Sequence, residues 1–472
     1  MKSYLSTLIL SGVLVLLLGW YFVYEKRMKP KATEAEEKTK QLIQLDKDQI
    51  GELTIVRISG AVSANTSAKE SKPAPETIHL KKSGQDWNLA LPVQDAADST
   101  AINGMIGTLT SSKQERVVDE NPKDLEPYGL KEPSLKIKVK KDANDSGQEL
   151  LIGKNTPVGY SSYAKLEGRP EVYRVSRTLF TSFDKDATSL RNKSVFNIAR
   201  TEVTEVEIQI QKTNIVLKRD DKENWWLARE HIPADTNEVN KTLNAILDLK
   251  ATEFASEDGK NLSQFGLQSP AIKVWLTQKK DKSRSAIWLG QHKGKTYAKR
   301  EDKNLVTAVD KDVFEKANRP AAQYRSLELA SFNRFDVKRI KLERGKEIIE
   351  LLKEENGWQM PTEPKSQIDG AKVDGFLTSL QDSKIVNYLP QGRPLTEPNL
   401  VIRLFEKKDK QESEKVMLKF AKGASKQVIA EKAGLGAPFS LKEEDFKKLN
   451  VAKENFFKTE PKEIKKEPEK KS

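Results

Sequence analysis

The sequence predicts an α+β protein. An N-terminal transmembrane helix is followed by three tandem ββαβββα-like units, and in each unit a helix packs against an antiparallel sheet. Three observations predict this fold. An uncharged apolar run occupies residues 4–24. Similar segments recur at intervals of roughly 135 residues, a spacing typical of tandem domains. Within each copy, apolar residues alternate with strand periodicity and then recur with helical periodicity.

The composition excludes several chemistries before any motif is considered. Cysteine is absent, which excludes disulfides, thiolate zinc sites and cysteine nucleophiles. The net charge is +13, but acidic and basic side chains are interleaved along the chain. This pattern favours a solvated charged surface and no nucleic-acid partner, the alternative being a basic stripe that binds nucleic acid.

The N-terminal run is long enough to cross a hydrocarbon core as a helix. Aromatic residues at its end, among them Trp20 and Tyr21, are typical of a membrane interface. A cleaved signal peptide is the alternative, but its apolar region is shorter and is followed by small residues. We therefore predict a transmembrane anchor at residues 1–24 and a polar linker at residues 25–44.

The orientation of this span has two opposing indications. Four basic residues follow it (Lys26, Arg27, Lys29 and Lys31), which favours a cytoplasmic body by the positive-inside rule. Long domains, however, translocate largely regardless of charge. The resulting prediction is a single-pass protein of the cytoplasmic membrane, with the bulk of the chain extracytoplasmic, in the periplasm.

Three copies of one unit account for the rest of the chain: residues 45–195, 196–331 and a divergent third copy at 332–457. A charged, disordered tail is predicted at residues 458–472. Each copy opens with two strands of alternating apolar residues joined as a hairpin. A tryptophan follows in each copy, at Trp87, at Trp225 and Trp226, and at Trp358. Its recurrence at one turn favours a structural role over ligand stacking.

A helix follows the tryptophan in each copy. Asp98, Asp235 and Asp369 each precede an apolar stripe of helical spacing, which predicts three N-caps. Glu238, three residues after Asp235, predicts a capping box. Three equivalent aspartates also permit a catalytic interpretation, which we consider weaker than helix capping.

A glycine-containing loop precedes the next strand. Gly129 and Gly266 are predicted to adopt positive φ, and Pro133 and Pro270 end the loop before a strand. The third copy has Pro394 where glycine is expected, so its loop must differ. A strand–turn–strand segment and a short helix then complete each unit.

The order of these motifs resembles a known family. Trp87-x-Leu89-x-x-Pro92, the capped helix, residues 128–133 (YGLKEP), residues 150–153 (LLIG) and residues 163–165 (YAK) resemble the bacterial family named domain of unknown function 4340. The resemblance covers most of residues 1–331 and weakens in the third copy. It implies a membrane-anchored protein without an established activity, and a gliding-motility-type auxiliary ABC transport system as partner.

A search for chemistry finds no catalytic, cofactor-binding or metal-binding residue, and no cofactor is predicted. His79, His231 and His292 lack metal-ligand spacing and are interpreted as surface or packing residues. Residues 290–296 (GQHKGKT) imitate a phosphate loop but have one residue too few between the glycines, and they are predicted to join two strands.

Two functional classes remain from the sequence. The first is a non-enzymatic, membrane-tethered scaffold or accessory protein of the bacterial cell envelope, which binds envelope proteins such as ABC transporter subunits. A variant of this class binds an anionic polymer through the basic surface. The second is an envelope hydrolase or sugar-modifying enzyme that uses carboxylates not identifiable from sequence. The absence of a recognisable catalytic constellation favours the first class.

Overall fold

The computed structural model describes residues 20–21, 40–58, 75–390, 395–408, 411–422 and 427–459. The chain divides into two compact units, Met1–Lys193 and Ser194–Ser472. The strands of the first unit form one antiparallel sheet, and those of the second unit form two. The strands of each sheet fall within one predicted copy, hereafter repeats 1, 2 and 3. The predicted boundaries between the copies stay a prediction.

The first sheet belongs to repeat 1 and has the strand order β4-β3-β2-β1-β6-β7-β8-β9-β5. In chain order its strands are β1 (Glu52–Ile58), β2 (Pro75–Ser83), β3 (Asp86–Leu91), β4 (Asp95–Ala96), β5 (Arg116–Asp119), β6 (Leu135–Lys140), β7 (Gln148–Asn155), β8 (Ser161–Leu166) and β9 (Val172–Ser176). Helix α1 (Ser99–Ser111) connects β4 to β5, the two edges of the sheet, and two short helices, α2 (Arg177–Phe183) and α3 (Ala187–Leu190), close the repeat.

The second sheet has the same topology, β13-β12-β11-β10-β15-β16-β17-β18-β14. Its strands are β10 (Val203–Ile210), β11 (Thr213–Arg219), β12 (Trp225–Leu227), β13 (Ile232–Pro233), β14 (Ala251–Ser256), β15 (Ile272–Gln278), β16 (Arg284–His292), β17 (Lys295–Arg300) and β18 (Val306–Val309). Helix α4 (Thr236–Leu247) again connects the two edge strands, and α5 (Asp312–Ala317) follows the sheet.

The third sheet has eight strands among the described residues, in the order β21-β20-β19-β23-β24-β25-β26-β22. They are β19 (Val337–Arg344), β20 (Glu347–Glu354), β21 (Gly357–Gln359), β22 (Ile385–Tyr388), β23 (Leu400–Lys408), β24 (Gln411–Lys422), β25 (Val428–Lys432) and β26 (Phe439–Leu441). Helix α6 (Gly370–Asp382) lies between β21 and β22, and α7 (Glu443–Leu449) follows β26.

The predicted α+β class is wrong, because the molecule is mainly antiparallel sheet: 43% of the described residues lie in strands and 21% in helices. The ββαβββα order omitted strands at both edges of each sheet. The β4 and β13 segments have only two residues, too few for a periodic pattern. The β5 and β14 strands pair with β9 and β18, which follow much later in the chain, so no local hairpin signal marks them.

The predicted transmembrane helix at residues 1–24 lies outside the described residues, apart from Trp20 and Tyr21. In the part of the chain that the structure describes, no helix is long and apolar enough to span a membrane. Most of the predicted linker and of the C-terminal tail, residues 25–39 and 460–472, also lies outside the described residues.

Each repeat builds its core from the strand alternation that the sequence predicts. Leu53 and Ile55 lie opposite Leu80 and Ile78 across the β1–β2 hairpin, and all four are fully buried. The corresponding pairs in repeats 2 and 3 have the same register. The apolar stripe of the central helix packs against these residues in each repeat. One face of each sheet, hereafter the inner face, therefore packs on the helix.

The glycine-containing loop covers part of the opposite, outer face in repeats 1 and 2. Gly129 and Gly266 both have φ of +67°, as predicted. The Lys154 N–H donates to the Tyr128 carbonyl at 2.9 Å, which fixes this loop to strand β7. The loops also contribute two small apolar clusters, each containing an edge-to-face ring pair: Tyr128 with Tyr163, and Phe265 with Tyr297.

This docking requires a second glycine in the strand beneath the loop. A Cβ atom on Gly153 would lie 2.2 Å from the Tyr128 carbonyl oxygen, and one on Gly290 would lie 2.4 Å from the Gly266 carbonyl oxygen. By strand register, the corresponding residue of repeat 3 is Ala421. Repeat 3 thus lacks the strand glycine, and Pro394, where the sequence departs from the loop pattern, lies outside the described residues.

We expect Gly153→Ala to destabilise the chain by about 3 kcal/mol, because the new methyl group would overlap a backbone oxygen that cannot move independently. Gly104→Ala is the matched control. Gly104 lies exposed in α1, and a Cβ atom added there would have no neighbour within 4 Å, so alanine should stabilise the chain by about 0.5–1 kcal/mol. Urea unfolding followed by circular dichroism measures both changes. Equal effects of the two substitutions would contradict the docking role of Gly153.

Candidate functional site

The central strand of each sheet gives the clearest comparison between repeats. Strands β6, β15 and β23 pair with β1, β10 and β19 in equivalent registers. Their inner-face residues are apolar and 0% exposed in all three repeats: Leu135, Ile137 and Val139; Ile272, Val274 and Leu276; Leu400, Ile402 and Leu404. The same packing requirement therefore operates at the same positions in each repeat.

The outer faces of these strands differ. The alternate positions read Lys136, Lys138 and Lys140 in repeat 1; Lys273, Trp275 and Thr277 in repeat 2; and Val401, Arg403 and Phe405 in repeat 3. Successive side chains of a strand point to opposite faces, so these residues lie on the outer face. Three sheets with matching cores thus present a lysine-rich, an aromatic–cationic and a mixed face.

Each outer face has a different electrostatic arrangement. In repeat 1, Lys138 lies 3.9 Å from the carboxylate of Glu149. In repeat 2, the guanidinium of Arg284 lies 5.0 Å from the ring centre of Trp275, close enough for a cation–π interaction. In repeat 3, Arg403 pairs with Glu414 at 2.7 Å and with Glu343 at 3.5 Å. In repeat 2, Arg284 also pairs with Glu207, so each outer face carries at least one ion pair.

The three recurring aspartates cap their helices, as predicted. The side chain of Asp98 accepts from the Ala101 N–H, that of Asp235 from the Asn237 and Glu238 N–H groups, and that of Asp369 from the Ala371 N–H. In addition, the backbone N–H of each aspartate donates at 2.8 Å to a carbonyl of the segment that closes the repeat: Leu190, Tyr324 and Phe456, respectively.

This backbone contact explains why the predicted capping box at Asp235 is wrong. A capping box needs the Glu238 carboxylate to accept from the Asp235 N–H. That N–H already donates to Tyr324. Glu238 instead pairs with Lys241 at 2.6 Å and with Arg319 at 2.5 Å. Hydrogen bonds from Lys241 and then Arg319 hold the pKa of Glu238 below its ordinary value.

The three histidines lie in different settings. His79, in β2, lies 3.4 Å from a carboxylate oxygen of Glu52. His231 has φ of +51° and immediately precedes the short strand β13. His292 ends β16 and pairs with Lys295 across the turn to β17. Within the described ranges, no group of three or more His, Cys, Asp or Glu side chains could hold a metal ion.

The remaining motifs are structural in this fold. Trp87, Trp225 and Trp358 are buried at 1%, 1% and 8% exposure, in agreement with the predicted packing role. They lie on strands β3, β12 and β21 and not at the preceding turn. The segment that imitates a phosphate loop joins β16 to β17, as predicted, so it precedes a strand and not a helix.

Within the second compact unit, residues 325–328, near the predicted end of repeat 2, contact both repeats and are hereafter called the linker. Arg325 bridges to Ala234, and the Ser326 N–H donates to the Pro233 carbonyl at 2.8 Å. The next carbonyl, that of Leu327, accepts from Ile385 of repeat 3 at 2.8 Å. Consecutive linker residues thus hydrogen-bond first to the edge strand β13 of repeat 2 and then to the edge strand β22 of repeat 3.

Tyr388 reinforces this joint. Its ring packs against the cores of both repeats, and its hydroxyl donates to the Ser326 carbonyl at 2.7 Å. Burial raises the pKa of Tyr388 to about 12. Nearby, the Gly436 N–H donates to the His231 carbonyl at 3.2 Å. Repeats 2 and 3 therefore form one packed body.

These features define a tandem-repeat protein of helix-containing antiparallel sheets, with recurring structural motifs and different outer faces. The chain belongs to the family described as Domain of unknown function (DUF4340), whose model matches residues 87–231 and 225–400. This match confirms the family resemblance and its tandem occurrence. No curated protein and no solved structure matches the chain.

We expect Asp235→Ala to cost about 1 kcal/mol of unfolding free energy, because two helix N–H groups lose their acceptor. Asp235→Asn keeps an acceptor at the cap and should change stability by only a few tenths of a kcal/mol. Thermal and urea unfolding of both variants measure the difference. A large, equal loss in both would mean that the carboxylate has a role other than capping.

We also expect Tyr388→Ala to weaken the joint between repeats 2 and 3, because it removes a ring shared by two cores. Limited proteolysis should then cleave the linker near residues 325–328 faster than in the unaltered chain. Tyr388→Phe keeps the ring and loses only the hydroxyl hydrogen bond, so its cleavage rate should stay close to the original. Unchanged cleavage in Tyr388→Ala would show that the ring does not hold the joint.

Proposed function

We propose that the chain is a non-enzymatic scaffold or accessory protein of the bacterial cell envelope. The supporting observation is the contrast between inner and outer faces at equivalent strand positions. Inner-face residues of β6, β15 and β23 have one chemistry, and outer-face residues have three. Packing alone explains why the inner-face residues recur. It does not explain why the outer-face residues differ between the repeats. Divergent faces suit contacts with different partners or with different parts of one partner.

The joint between repeats 2 and 3 supports the same proposal. A scaffold holds its binding surfaces at fixed separations, so that several modest contacts act together. The linker hydrogen bonds and Tyr388 fix two of the three faces within one packed body. A flexible connection would lose much of this advantage, because the second contact would then carry an ordering cost.

The carboxyl groups of the described residues give the competing hydrolase class no support. A general acid needs a raised carboxyl pKa at neutral pH. Each described carboxyl group with a shifted pKa is shifted downward, toward the ionised form: Asp145, Asp220, Glu223, Glu238, Asp258, Asp281 and Asp302. Such groups suit ion pairs and turns better than proton donation.

Location and partner complete the proposal. The uncharged N-terminal run supports residence at the cytoplasmic membrane with most of the chain extracytoplasmic. The resemblance to the family supports an ABC transport system of the gliding-motility type as the partner. Cell fractionation and protease digestion after opening only the outer layer of the cell test this location. Protection of the body from protease would reverse the orientation.

The outer face of repeat 1 offers a sharp test of the scaffold. Lys138→Trp together with Lys140→Thr gives β6 the outer-face residues of β15, since position 136 already matches Lys273. The core residues stay in place, so folding and melting temperature should be nearly unchanged. We expect the variant to lose capture of its envelope partner in crosslinking from intact membranes, and to lose the cellular phenotype of the gene.

The matched control replaces all three histidines, His79, His231 and His292, with glutamine. The scaffold proposal predicts that this variant keeps both partner capture and phenotype, whereas deletion of one whole repeat abolishes them. The proposal fails if the face exchange leaves both readouts intact. It also fails if the folded histidine variant loses the phenotype, a result that would favour an enzyme.

A further inference from the structure

A shallow depression of about 250 Å³ lies on repeat 2, where the β10–β11 hairpin meets the segment preceding β15. Its lining is unusually rich in amides: Gln209, Gln211, Gln268, Ser269, Pro270 and Lys273. Three glutamines, one hydroxyl and one ammonium therefore surround one small volume. None of these residues takes part in the joint or in helix capping.

Gln211 occupies a backbone conformation that favours glycine. It has φ of +51° in the two-residue turn between Ile210 and Thr213. The equivalent turn of repeat 3, between Arg344 and Glu347, has Gly345 at φ of +57°. A non-glycine side chain in this region is strained. Repeat 2 thus has Gln211 at a turn position where repeat 3 has the unstrained Gly345. Gln211 lines the depression.

Among the described residues, the lining positions of repeat 2 carry other residue types than the matching positions of repeat 1. By strand register, Val56 and Ile58 of repeat 1 correspond to Gln209 and Gln211. Lys131 and Glu132 precede Pro133 as Gln268 and Ser269 precede Pro270. At these four described positions, repeat 1 therefore has apolar and charged residues in place of the glutamines and the serine. Packing of the shared fold does not require the glutamines.

The chemistry of the lining indicates the class of ligand. A glutamine amide donates and accepts hydrogen bonds without charge, which matches neighbouring hydroxyl groups of a sugar ring. Lys273 adds one positive charge, suited to a carboxylate. Its Nζ atom also lies 5.7 Å from the ring centre of Trp288, which places the ammonium on the outer face of the sheet.

We propose that this depression binds an acidic oligosaccharide, with the glutamines hydrogen-bonding to ring hydroxyls and Lys273 pairing with a sugar carboxylate. The site goes beyond the scaffold function and does not depend on it, since ligand binding is measured with the purified chain. A polyphosphate would accept hydrogen bonds from Lys273 and from the glutamine N–H groups, but it would offer no donor to the glutamine carbonyl oxygens. The ligand therefore differs from a simple polyanion.

Isothermal titration of the full-length chain tests the site with tetragalacturonate, neutral maltotetraose and polyphosphate. We expect tetragalacturonate to bind at least tenfold more tightly than either of the others. Lys273→Gln should remove the preference for the acidic over the neutral sugar. Equal or tighter binding of polyphosphate would reduce the site to charge attraction and overturn the proposal, as would the absence of tetragalacturonate binding.

Gln211→Gly separates binding from folding. Glycine relieves the strain at positive φ, so the melting temperature should rise by about 2 °C. At the same time, tetragalacturonate affinity should fall at least fivefold because one amide is lost. Gly345→Gln in repeat 3 is the mirror control, which should lower the melting temperature and leave affinity unchanged. Full affinity in folded Gln211→Gly would overturn the assignment.

Discussion

One backbone hydrogen bond organises every repeat. The N–H of the helix-capping aspartate donates to a carbonyl in the segment that closes the same repeat, at 2.8 Å in all three cases. The aspartate side chain simultaneously caps the helix. The central helix connects the two edge strands of its sheet, so fixing the helix start also fixes one edge relative to the chain end. The same aspartate therefore fixes the start of the helix and holds the closing segment of the repeat against it.

The family match and the structural repeats begin at different places along the chain. The matched segments start near the tryptophan strand of one repeat and end in the next repeat, at residues 87–231 and 225–400. Residues 325–328, the linker between repeats 2 and 3, lie inside the second match. Their hydrogen bonds reach Pro233 on one side and Ile385 on the other. The linker is thus an integral part of the packed structure.

The inner half of each repeat was predictable from sequence, because burial imposes a period that local residues reveal. Alternation marked the first hairpin, helical spacing marked the central helix, and Gly129 and Gly266 marked positive φ. The edge strands were not predictable for two reasons. The two-residue strands β4 and β13 are too short to show a period. The partners of β5 and β14 lie far along the chain. Glu238 was misassigned because the N–H that it would cap is bonded to a distant carbonyl.

The candidate functional surfaces were harder to predict for a related reason. Inner-face residues recur because they must pack in a core, and outer-face residues are free of that requirement. A comparison of the repeat sequences therefore shows that outer-face residues differ, but not what the differences do. The strand register decides which of these residues lie side by side on one surface. Lys273 and Trp288, for example, are fifteen positions apart in the sequence but lie opposite each other on adjacent strands. Likewise, the positive φ of Gln211 is a property of the turn that no residue pattern announced. In this fold, recurrence identifies what holds each sheet together. Residues that differ between the repeats at equivalent strand positions identify where the repeats differ in what they can bind.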